Sequence, residues 1–512
     1  MITRSRWLLA CACVLAPLAV GCRREDRAHS RSSTVTVAYC CGRQTFTPAF
    51  DTEAKLLVFL PLVAEDENGE LEGRLAQRWE HSPDYREWTY HLRTDVRWHD
   101  GVPFTAQDIK FTVDLLAHEP GATLFLIESM TVLDDSTVRV RYTQTTARWD
   151  SWWVYYPKHL LERLDPKKLE DWDFWTHPIG NGPYRFVRYQ PDTMMEFEAN
   201  PDYYRGKPKI ERVVLKFVGH AGLSELLSGN VDALPWANPT EIPKLSSDPR
   251  FRVYFQIAPD LARVIYWQND HPLFRDPNIR RALTLAIDRR GLLRALNLPD
   301  NIAVFDGPLT RRQLRRGQLP EPLPYGPARA RALLDAAGWR DGNGDGIRER
   351  DGKPFRFTTI VSHAESGGVD EWMAVYLQEQ LRRVGVRMDI QVLDRGVPAR
   401  LKSGEFEAAI LHFRHSAWWL QQYVGRNSPI GYSNAEVARQ IDQAMVTADP
   451  EVLDGIYQDL MEIFRADVPV TFLTPQVNTY IAHRRIRGLS SPWRANPVEY
   501  MEDLWLEDGK AE

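Results

Sequence analysis

Cysteine is scarce in this chain, and its distribution excludes a disulfide framework. The 512 residues contain five cysteines. Cys11, Cys13 and Cys22 lie within or at the end of an apolar N-terminal run, which leaves only Cys40 and Cys41 for the rest of the chain. Because adjacent cysteines cannot connect distant segments, the sequence predicts a fold that is stabilised by its hydrophobic core rather than by disulfides.

Long apolar runs, blocks of positive charge and catalytic motifs are missing too. Beyond the N-terminal run no segment reaches the ~18 consecutive apolar residues of a membrane-spanning helix. The net charge is −5 and is spread along the chain, which argues against nucleic acid as a partner. Neither Gly-x-Ser-x-Gly nor His-Glu-x-x-His occurs, so an exported hydrolase has little support. We therefore predict no enzymatic activity and no cofactor.

The N-terminus has the pattern of a secretory signal. Arg4 and Arg6 precede the apolar run from Trp7 to Gly21, which is shorter than the ~20 residues that a bilayer requires. A basic start followed by a short apolar stretch is typical of a signal peptide, and we assign residues 1–21 to it. The protein is therefore predicted to be exported to the periplasm or the cell surface.

The end of this signal resembles a lipobox. In Ala19-Val20-Gly21-Cys22 a small residue precedes the cysteine, which would be lipidated and become the new N-terminus. Residues 22–33 would then form a lipidated, flexible tether, and the lipid would be the only attachment to a membrane. The alternative is an ordinary signal peptide that is cleaved at another position.

Length and aromatic content favour a large protein with a ligand cleft. A chain of 512 residues exceeds the ~250–300 residues that one core can serve, so two or three domains are expected. The apolar fraction of 43% and the charged fraction of 26% are ordinary for a globular protein. The 17 tryptophans are numerous, and a surplus of flat aromatic rings is suited to lining a cleft.

Hydrophobic periodicity predicts a mixture of strands and helices. Thr34–Tyr39 alternates β-branched residues and indicates a first strand. Thr105–Leu116 has a capping residue followed by helical spacing, and Asn278–Leu296 indicates a single long helix. An apolar strand is predicted at Val468–Leu473. Because helices and strands alternate throughout the second half, we expect an α/β fold.

Several sequence blocks occur in a recognisable order over nearly the whole chain. They resemble the periplasmic binding proteins of solute-binding family 5, which serve oligopeptide, dipeptide and nickel ABC importers. The blocks include Asn68-Gly69-Glu70-Leu71, Trp98 to Asp108, Gly180 to Phe186, Asn200 to Tyr204, Gly229 to Asp232, Asp276 to Arg281, Ala328 to Trp339 and Tyr432-Ser433-Asn434.

This resemblance implies an α/β fold of the type II periplasmic binding protein, with two hinged lobes and a peripheral third domain. Lobe I would take residues 34–55, 180–260 and 470–512, the peripheral domain 56–179, and lobe II 261–469. A monomer would enclose a peptide or another small polar solute between the lobes and deliver it to ABC permease subunits. A sensor or chaperone with the same fold is the alternative.

The resemblance also directs attention to the segment Ala409–Tyr423. Peptide binders of the family hold the α-amino group of the ligand with a carboxylate in the matching segment, but this segment contains no Asp or Glu. Arg414, His415, Trp418 and Trp419 stand there instead. An arginine fork suits carboxylates or hydroxyls, and tryptophans offer stacking surfaces, so we predict that these four residues contact ligand. Packing within lobe II is the alternative.

Two further sets of residues are weaker candidates. Cys40 and Cys41 follow the first strand, where family members approach the cleft; they could form a vicinal disulfide that contacts ligand, or be two small buried residues. Asp341, Asn343 and Asp345 resemble the start of a calcium loop, but the acidic residue that such a loop needs at its twelfth position is replaced by glycine. A simple turn is therefore preferred over a weak calcium site, and no other metal site is predicted.

Overall fold

A computed structural model describes most of the chain after the N-terminal region. The described residues are 33–39, 46–47, 53–65, 71–117, 127–143, 145, 154–235, 237–309, 321–363, 368–394, 396–415, 417–424, 427–447, 449–491 and 494–507. Within these ranges no helix combines the length and the apolar character that crossing a membrane would require.

Twenty strands lie in the described residues. They are β1 (Thr34–Tyr39), β2 (Val63–Glu65), β3 (Leu71–Gly73), β4 (Ala76–His81), β5 (Glu87–Leu92), β6 (Ile127–Asp134), β7 (Thr137–Tyr142), β8 (Tyr184–Gln190), β9 (Met194–Ala199), β10 (Arg212–Phe217), β11 (Ala233–Pro235), β12 (Phe251–Trp267), β13 (Glu349–Arg350), β14 (Lys353–Pro354), β15 (Arg356–Ser362), β16 (Arg387–Leu393), β17 (Ala408–Arg414), β18 (Val470–His483), β19 (Ile486–Arg487) and β20 (Trp505–Leu506).

Thirteen α-helices accompany these strands in the described ranges. They are α1 (Ala54–Val58), α2 (Ala106–Leu116), α3 (Lys158–Leu161), α4 (Gly222–Leu227), α5 (Ile242–Ser247), α6 (Pro277–Leu285), α7 (Arg289–Ala295), α8 (Pro327–Ala336), α9 (Val369–Arg382), α10 (Val397–Ser403), α11 (Ala417–Tyr423), α12 (Ala435–Val446) and α13 (Pro450–Asp467). Short 3-10 turns occupy Pro166–Asp171, Asp173–Thr176, Gly219–Ala221 and Met501–Asp503.

One ten-stranded sheet organises the molecule, in the order β16-β15-β17-β12-β18-β11-β1-β10-β9-β8. Strands β11, β1, β10, β9 and β8 belong to lobe I, and strands β16, β15 and β17 belong to lobe II. The two long strands in the middle, β12 and β18, pass from one lobe into the other. The predicted two-lobed α/β architecture is thereby confirmed, while the residue limits of its domains stay a prediction.

The antiparallel pairing of β12 with β18 is interrupted where the lobes meet. On the lobe I side the pairing runs from Phe251 with His483 to Ile257 with Val477, and on the lobe II side it resumes at Ala262 with Pro475. Residues 258–261 of β12 therefore stand opposite the single residue 476 of β18. Such a bulge breaks the hydrogen-bond ladder and concentrates bending at one place, as expected for a hinge.

Hydrophobic alternation along β12 places lobe II residues on both faces of the sheet. Ile265 and Trp267 pack into a core cluster with helices α6 to α9, whereas Val264 and Tyr266 pack into a second cluster with α12 and α13. Lobe I and the peripheral sheet β4-β5-β7-β6 share one continuous core, which extends from Val35 in β1 to residues of the peripheral domain such as Trp88.

A glycine-rich turn joins lobe I to the peripheral domain. The backbone N–H groups of Asn181 and Gly182 both donate to the carbonyl oxygen of Val58, at 3.0 and 2.8 Å. The N–H of His99 donates to the carbonyl of Gly180 at 2.7 Å, and burial lowers the pKa of its ring to about 4. The backbones approach so closely that a Cβ atom at Gly180 would lie 1.8 Å from the Val58 oxygen.

The predicted elements agree with the structure in type and differ in extent. The strand Thr34–Tyr39 is confirmed, and the helix predicted from Thr105 begins at Ala106, with the Thr105 N–H donating to the carboxylate of Asp108 at 2.9 Å. The single helix predicted over Asn278–Leu296 is wrong. It is divided into α6 and α7 because Asp288 caps the second helix, accepting from the Gly291 N–H at 2.7 Å.

Candidate ligand-binding site at the crossing strands

Polar side chains line β12 and β18 where these strands pass between the lobes. In the order given below, each side chain either forms a hydrogen bond with the next or stands opposite it in the paired strands. We call this set the hinge row, and it consists of Glu499, Gln256, Asn478, Gln476, Arg263 and Asp370.

The lobe II end of the hinge row is a buried ion pair. Nη1 of Arg263 lies 2.9 Å from Oδ2 of Asp370, and the Asp370 side chain has no exposed surface. Arg263 also donates from Nε to Oε1 of Gln476 at 2.8 Å. Asp370 lies in the first turn of α9, where a carboxylate is favoured by the helix dipole. A buried charge needs such a partner, so the two residues hold α9 against β12.

The middle of the hinge row connects the two lobes. Nε2 of Gln476 donates to Oδ1 of Asn478 at 3.0 Å. Asn478 stands directly opposite Gln256 in the antiparallel pairing, and directly opposed side chains project from the same face of a sheet. The polar groups therefore continue across the hinge on one face.

The lobe I end of the row is an acid without a basic partner among the described residues. Nε2 of Gln256 donates to Oε2 of Glu499 at 3.3 Å, and the hydroxyl of Tyr500 is a further hydrogen-bond partner of this carboxylate. Burial raises the pKa of Glu499, and only these hydrogen bonds oppose the shift. The side-chain oxygen of Gln256 is shielded from solvent and accepts no hydrogen bond from the described part of the chain.

A neutral histidine adjoins the lobe II end. His412 in β17 stands opposite Arg263 in the sheet. Burial lowers the pKa of His412 to about 4, and the positive charges of Arg263 and Arg414 act in the same direction. The imidazole is therefore uncharged near neutral pH, and the positive charge in this part of the molecule is carried by the arginines.

Arg414 and His415 meet β12 at its irregular segment. Nη1 of Arg414 lies 2.7 Å from Oδ2 of Asp260, and the backbone N–H of His415 donates to the Asp260 carbonyl at 2.7 Å. The Arg414 side chain is about half exposed, at 51%. The end of β17 is thus fastened to the hinge, which brings these two predicted residues close to the crossing strands.

The His415 ring is buried in an aromatic cage. Its centroid lies 5.3 Å from that of Phe305, 5.4 Å from that of Phe413 and 5.9 Å from that of Phe472. Burial lowers the pKa of this imidazole to about 4, against a hydrogen bond with the backbone of Pro308. Contact of His415 with ligand, which the sequence predicts, stays a prediction.

The other predicted ligand contacts divide into two groups. Trp419 in α11 packs on the lobe II core, with its ring 5.2 Å from that of Tyr423 and a hydrogen bond to Tyr266. Cys22, Cys40, Cys41 and the side chain of Trp418 lie outside the described residues. Their contact with ligand, and the lipidation of Cys22, stay predictions.

The calcium candidate is a turn whose side chains bind their own backbone. The Asp341 carboxylate accepts from the N–H groups of Gly344 and Gly346, at 2.8 and 3.0 Å. Asn343 accepts from the Asp345 N–H at 2.8 Å. In the described ranges no three or more His, Cys, Asp or Glu side chains are grouped to hold a metal ion. A calcium site at Asp341, Asn343 and Asp345 stays a prediction.

Sequence reasoning missed the hinge row. Arg263 and Asp370 are 107 positions apart, and Gln256 and Glu499 are 243 positions apart, so no local motif joins them. The available signal was Arg263 within the apolar run Leu261–Trp267, since an arginine in a buried strand requires a buried partner.

The comparisons with known proteins agree with this architecture. The sequence is 27% identical over 452 residues to the oligopeptide-binding protein AppA of Bacillus subtilis, covering 82% of this chain and 79% of the relative. It is 28% identical over 444 residues to a putative ABC transporter peptide-binding protein of Brucella ovis, covering 80% of each. The crystal structure of the ABC transporter substrate-binding protein CtaP from Listeria monocytogenes superposes with a TM-score of 0.79 at 20% identity, covering 92% of this chain and 99% of CtaP.

The model of one protein family matches residues 70–428, which is well over half of the chain. This match extends from the peripheral domain through the crossing strand β12 to the end of β17 and beyond. The chain therefore belongs to family 5 of the bacterial extracellular solute-binding proteins.

Proposed function

We propose that this protein is the substrate-binding protein of an ABC importer, which captures peptides or another small polar solute between its lobes. The loaded protein would deliver the solute to the permease subunits of the importer. Peptides come first because the relatives from Bacillus subtilis and Brucella ovis are named as peptide-binding proteins. The protein would act by binding alone, as its family does.

The two shared strands are the observation that carries this proposal. β12 and β18 connect lobes with separate cores, and their pairing is broken between Ile257 and Ala262, with a second, smaller register shift directly after Arg263. Rigid bodies that are joined through such a segment close over a ligand by bending there. A continuous ladder through the same strands would resist this motion.

The ligand contacts proposed here surround the same place. The hinge row supplies hydrogen-bond donors and acceptors from both lobes, and Arg414 adds a half-exposed guanidinium group beside it. Binding at a micromolar dissociation constant requires only about −8 kcal/mol, which a few satisfied hydrogen bonds and one stacked ring can supply. Trp418, Trp419, Cys40 and Cys41 remain proposed contacts.

Export and anchoring complete the proposal. The signal peptide of residues 1–21 and the lipobox at Cys22 would place the protein outside the cytoplasm with its lipid in a membrane. The tether of residues 22–33 would let the lobes move near the permease. Mass spectrometry of the mature protein from a membrane fraction tests this, because a diacylglyceryl group on Cys22 is expected and a free N-terminus at another residue contradicts it.

Native mass spectrometry and calorimetry test the capture of solute. A protein purified without denaturation is expected to carry bound solute, and a library of peptides with three to five residues is expected to bind. Arg414→Ala is expected to weaken binding by about tenfold or more, or about 1.4 kcal/mol, and Trp418→Ala is expected to do the same. Arg439→Ala is the matched control, because Arg439 lies on α12 and pairs with Glu436 in solvent. Unchanged affinity in both test variants contradicts their assignment to the site.

A further inference from the structure

The two ends of the hinge row differ in charge balance. At the lobe II end Arg263 is matched by Asp370, so that end is neutral as a pair. At the lobe I end Glu499 has hydrogen bonds from Gln256 and Tyr500, and the described residues provide no arginine or lysine that offsets its charge. A carboxylate that is largely removed from water without a counter-charge is costly, unless another molecule supplies the charge.

A second acceptor lies beside this carboxylate. The amide N–H of Gln256 donates to Glu499, so the amide oxygen of Gln256 is directed away from that carboxylate. That oxygen is shielded from solvent and has no donor in the described part of the chain. The amide orientation is fixed by the bond to Glu499, because the opposite orientation would place two acceptors against each other. A buried amide oxygen without a hydrogen bond is unfavourable, and an N–H group of a ligand would satisfy it.

Arg494 is a basic side chain of this region that is engaged elsewhere. The guanidinium group of Arg494 lies 5.2 Å from the ring centroid of Tyr500 and forms an ion pair with Asp503. The negative charge of Glu499 also reaches Tyr480, whose pKa is raised first by burial and then by the nearby carboxylates. Arg494 is therefore committed to Asp503 and Tyr500 rather than to Glu499.

We propose that Glu499 and the side-chain oxygen of Gln256 form a subsite in lobe I for a cationic N–H donor of the captured solute, such as an ammonium group. This inference rests on the proposed solute capture and assigns one end of the solute to lobe I. An ammonium group carries three donors and one charge, so it can serve the carboxylate and the amide oxygen at once. The segment Ala409–Tyr423 of lobe II offers no acidic residue for the same purpose.

A metal ion fits this subsite less well than an ammonium group. In the described ranges no three or more His, Cys, Asp or Glu side chains are grouped to hold one, and a hard cation needs about six oxygen ligands. One carboxylate and one amide oxygen match the donor geometry of a protonated amine. The subsite therefore selects for solutes with an accessible positive charge.

The test compares two forms of one peptide library. The library contains peptides of three to five residues without Lys, Arg or His, either with a free α-amino group or N-acetylated. Wild-type protein is expected to bind the free form at least tenfold more tightly in native mass spectrometry and calorimetry. Glu499→Gln, which keeps the size of the side chain and removes its charge, is expected to abolish this preference. Glu198→Gln is the control, because it removes an exposed charge on β9 of the same lobe.

The outcomes separate this subsite from the capture function. If the wild type binds both forms equally, or if Glu499→Gln keeps the wild-type preference, the subsite is overturned while solute capture stands. If the wild type binds neither form, peptide capture is contradicted, and titration with spermidine then decides on the subsite alone. No binding of spermidine, or equal binding by the wild type and Glu499→Gln, overturns it. An unchanged melting temperature verifies that each variant is folded.

Discussion

At Gly180 the space beside the backbone is smaller than a methyl group. A Cβ atom there would lie 1.8 Å from the Val58 carbonyl oxygen, which itself accepts two backbone hydrogen bonds. We expect Gly180→Ala to lower the free energy of unfolding by about 3 kcal/mol or more, since backbone must move to make room. Thermal unfolding measures the loss.

Gly455→Ala is the matched control for this substitution. Gly455 lies inside helix α13, and a Cβ there would meet no atom within 4 Å. Alanine is favoured over glycine inside a helix by about 1 kcal/mol, so this variant is expected to be more stable than the wild type. Equal stability of Gly180→Ala and the wild type would contradict the close approach.

Single residues were the least predictable part of the site. A tight turn at Gly180 could be predicted from the sequence, because glycine followed by Asn-Gly-Pro is typical of turns. Glu499 could not be predicted as a site residue, because its environment is created by Gln256 from a strand 243 positions away. Arg414 was singled out by the absence of acidic residues around it, and the structure adds its ion pair with Asp260.

Helix α9 is fastened to strand β12 by the ion pair of Arg263 and Asp370. Removing only the arginine leaves a fully buried carboxylate without its counter-charge, so Arg263→Met is expected to cost about 3–5 kcal/mol of stability. The double variant Arg263→Met with Asp370→Leu removes both charges and is expected to recover most of this loss. Urea denaturation followed by tryptophan fluorescence measures both, and a double variant that is no more stable than Arg263→Met contradicts the pairing.

Helices and strands with a regular pattern of apolar residues could be predicted, and those whose apolar pattern is interrupted by polar residues could not. Strand β1 follows its alternating pattern, whereas the 17-residue strand β12 contains Pro259 and Asp260 where its pairing with β18 is interrupted. The predicted strand from Val468 to Leu473 covers only the beginning of β18. The sequence predicts no strand over β12 and misses β18 beyond Leu473, and both missed stretches include the polar residues that cross between the lobes.

Three histidines that burial keeps uncharged link the stability of the whole molecule to pH. The folded protein holds the pKa values of His99, His412 and His415 at about 4, below the ordinary value near 6.5. Between these values the unfolded chain takes up protons that the folded protein does not. Stability is therefore complete above about pH 6.5 and falls as the pH decreases toward 4, by about 2 kcal/mol for each histidine at pH 5.

Thermal unfolding at pH 7 and pH 5 measures this dependence. The variants His99→Gln and His415→Gln are each expected to reduce the difference between the two melting temperatures, because each removes one proton-binding group from the unfolded chain. If the difference between the melting temperatures at pH 7 and pH 5 is as large in both variants as in the wild type, buried neutral imidazoles are not a source of the acid sensitivity.

The architecture of the whole molecule was the most predictable feature, because the ordered sequence blocks resemble one family over nearly the entire chain. The two lobes, the peripheral domain and the α/β class all followed from that resemblance. The particular way in which the lobes are joined did not follow, since the register between β12 and β18 depends on side chains that are more than 200 positions apart.

The bulge between β12 and β18 also describes how lobe II is inserted in the chain. Ile257 and Val477 are register partners on the lobe I side. The chain therefore leaves lobe I after Ile257 and re-enters it at Val477, at neighbouring positions in the sheet. A tight β-turn could close that gap without changing the remaining strand order. In its topology, lobe II is therefore an insertion between the two strands of a lobe I hairpin. Replacing it with another lobe would leave the strand order of lobe I unchanged.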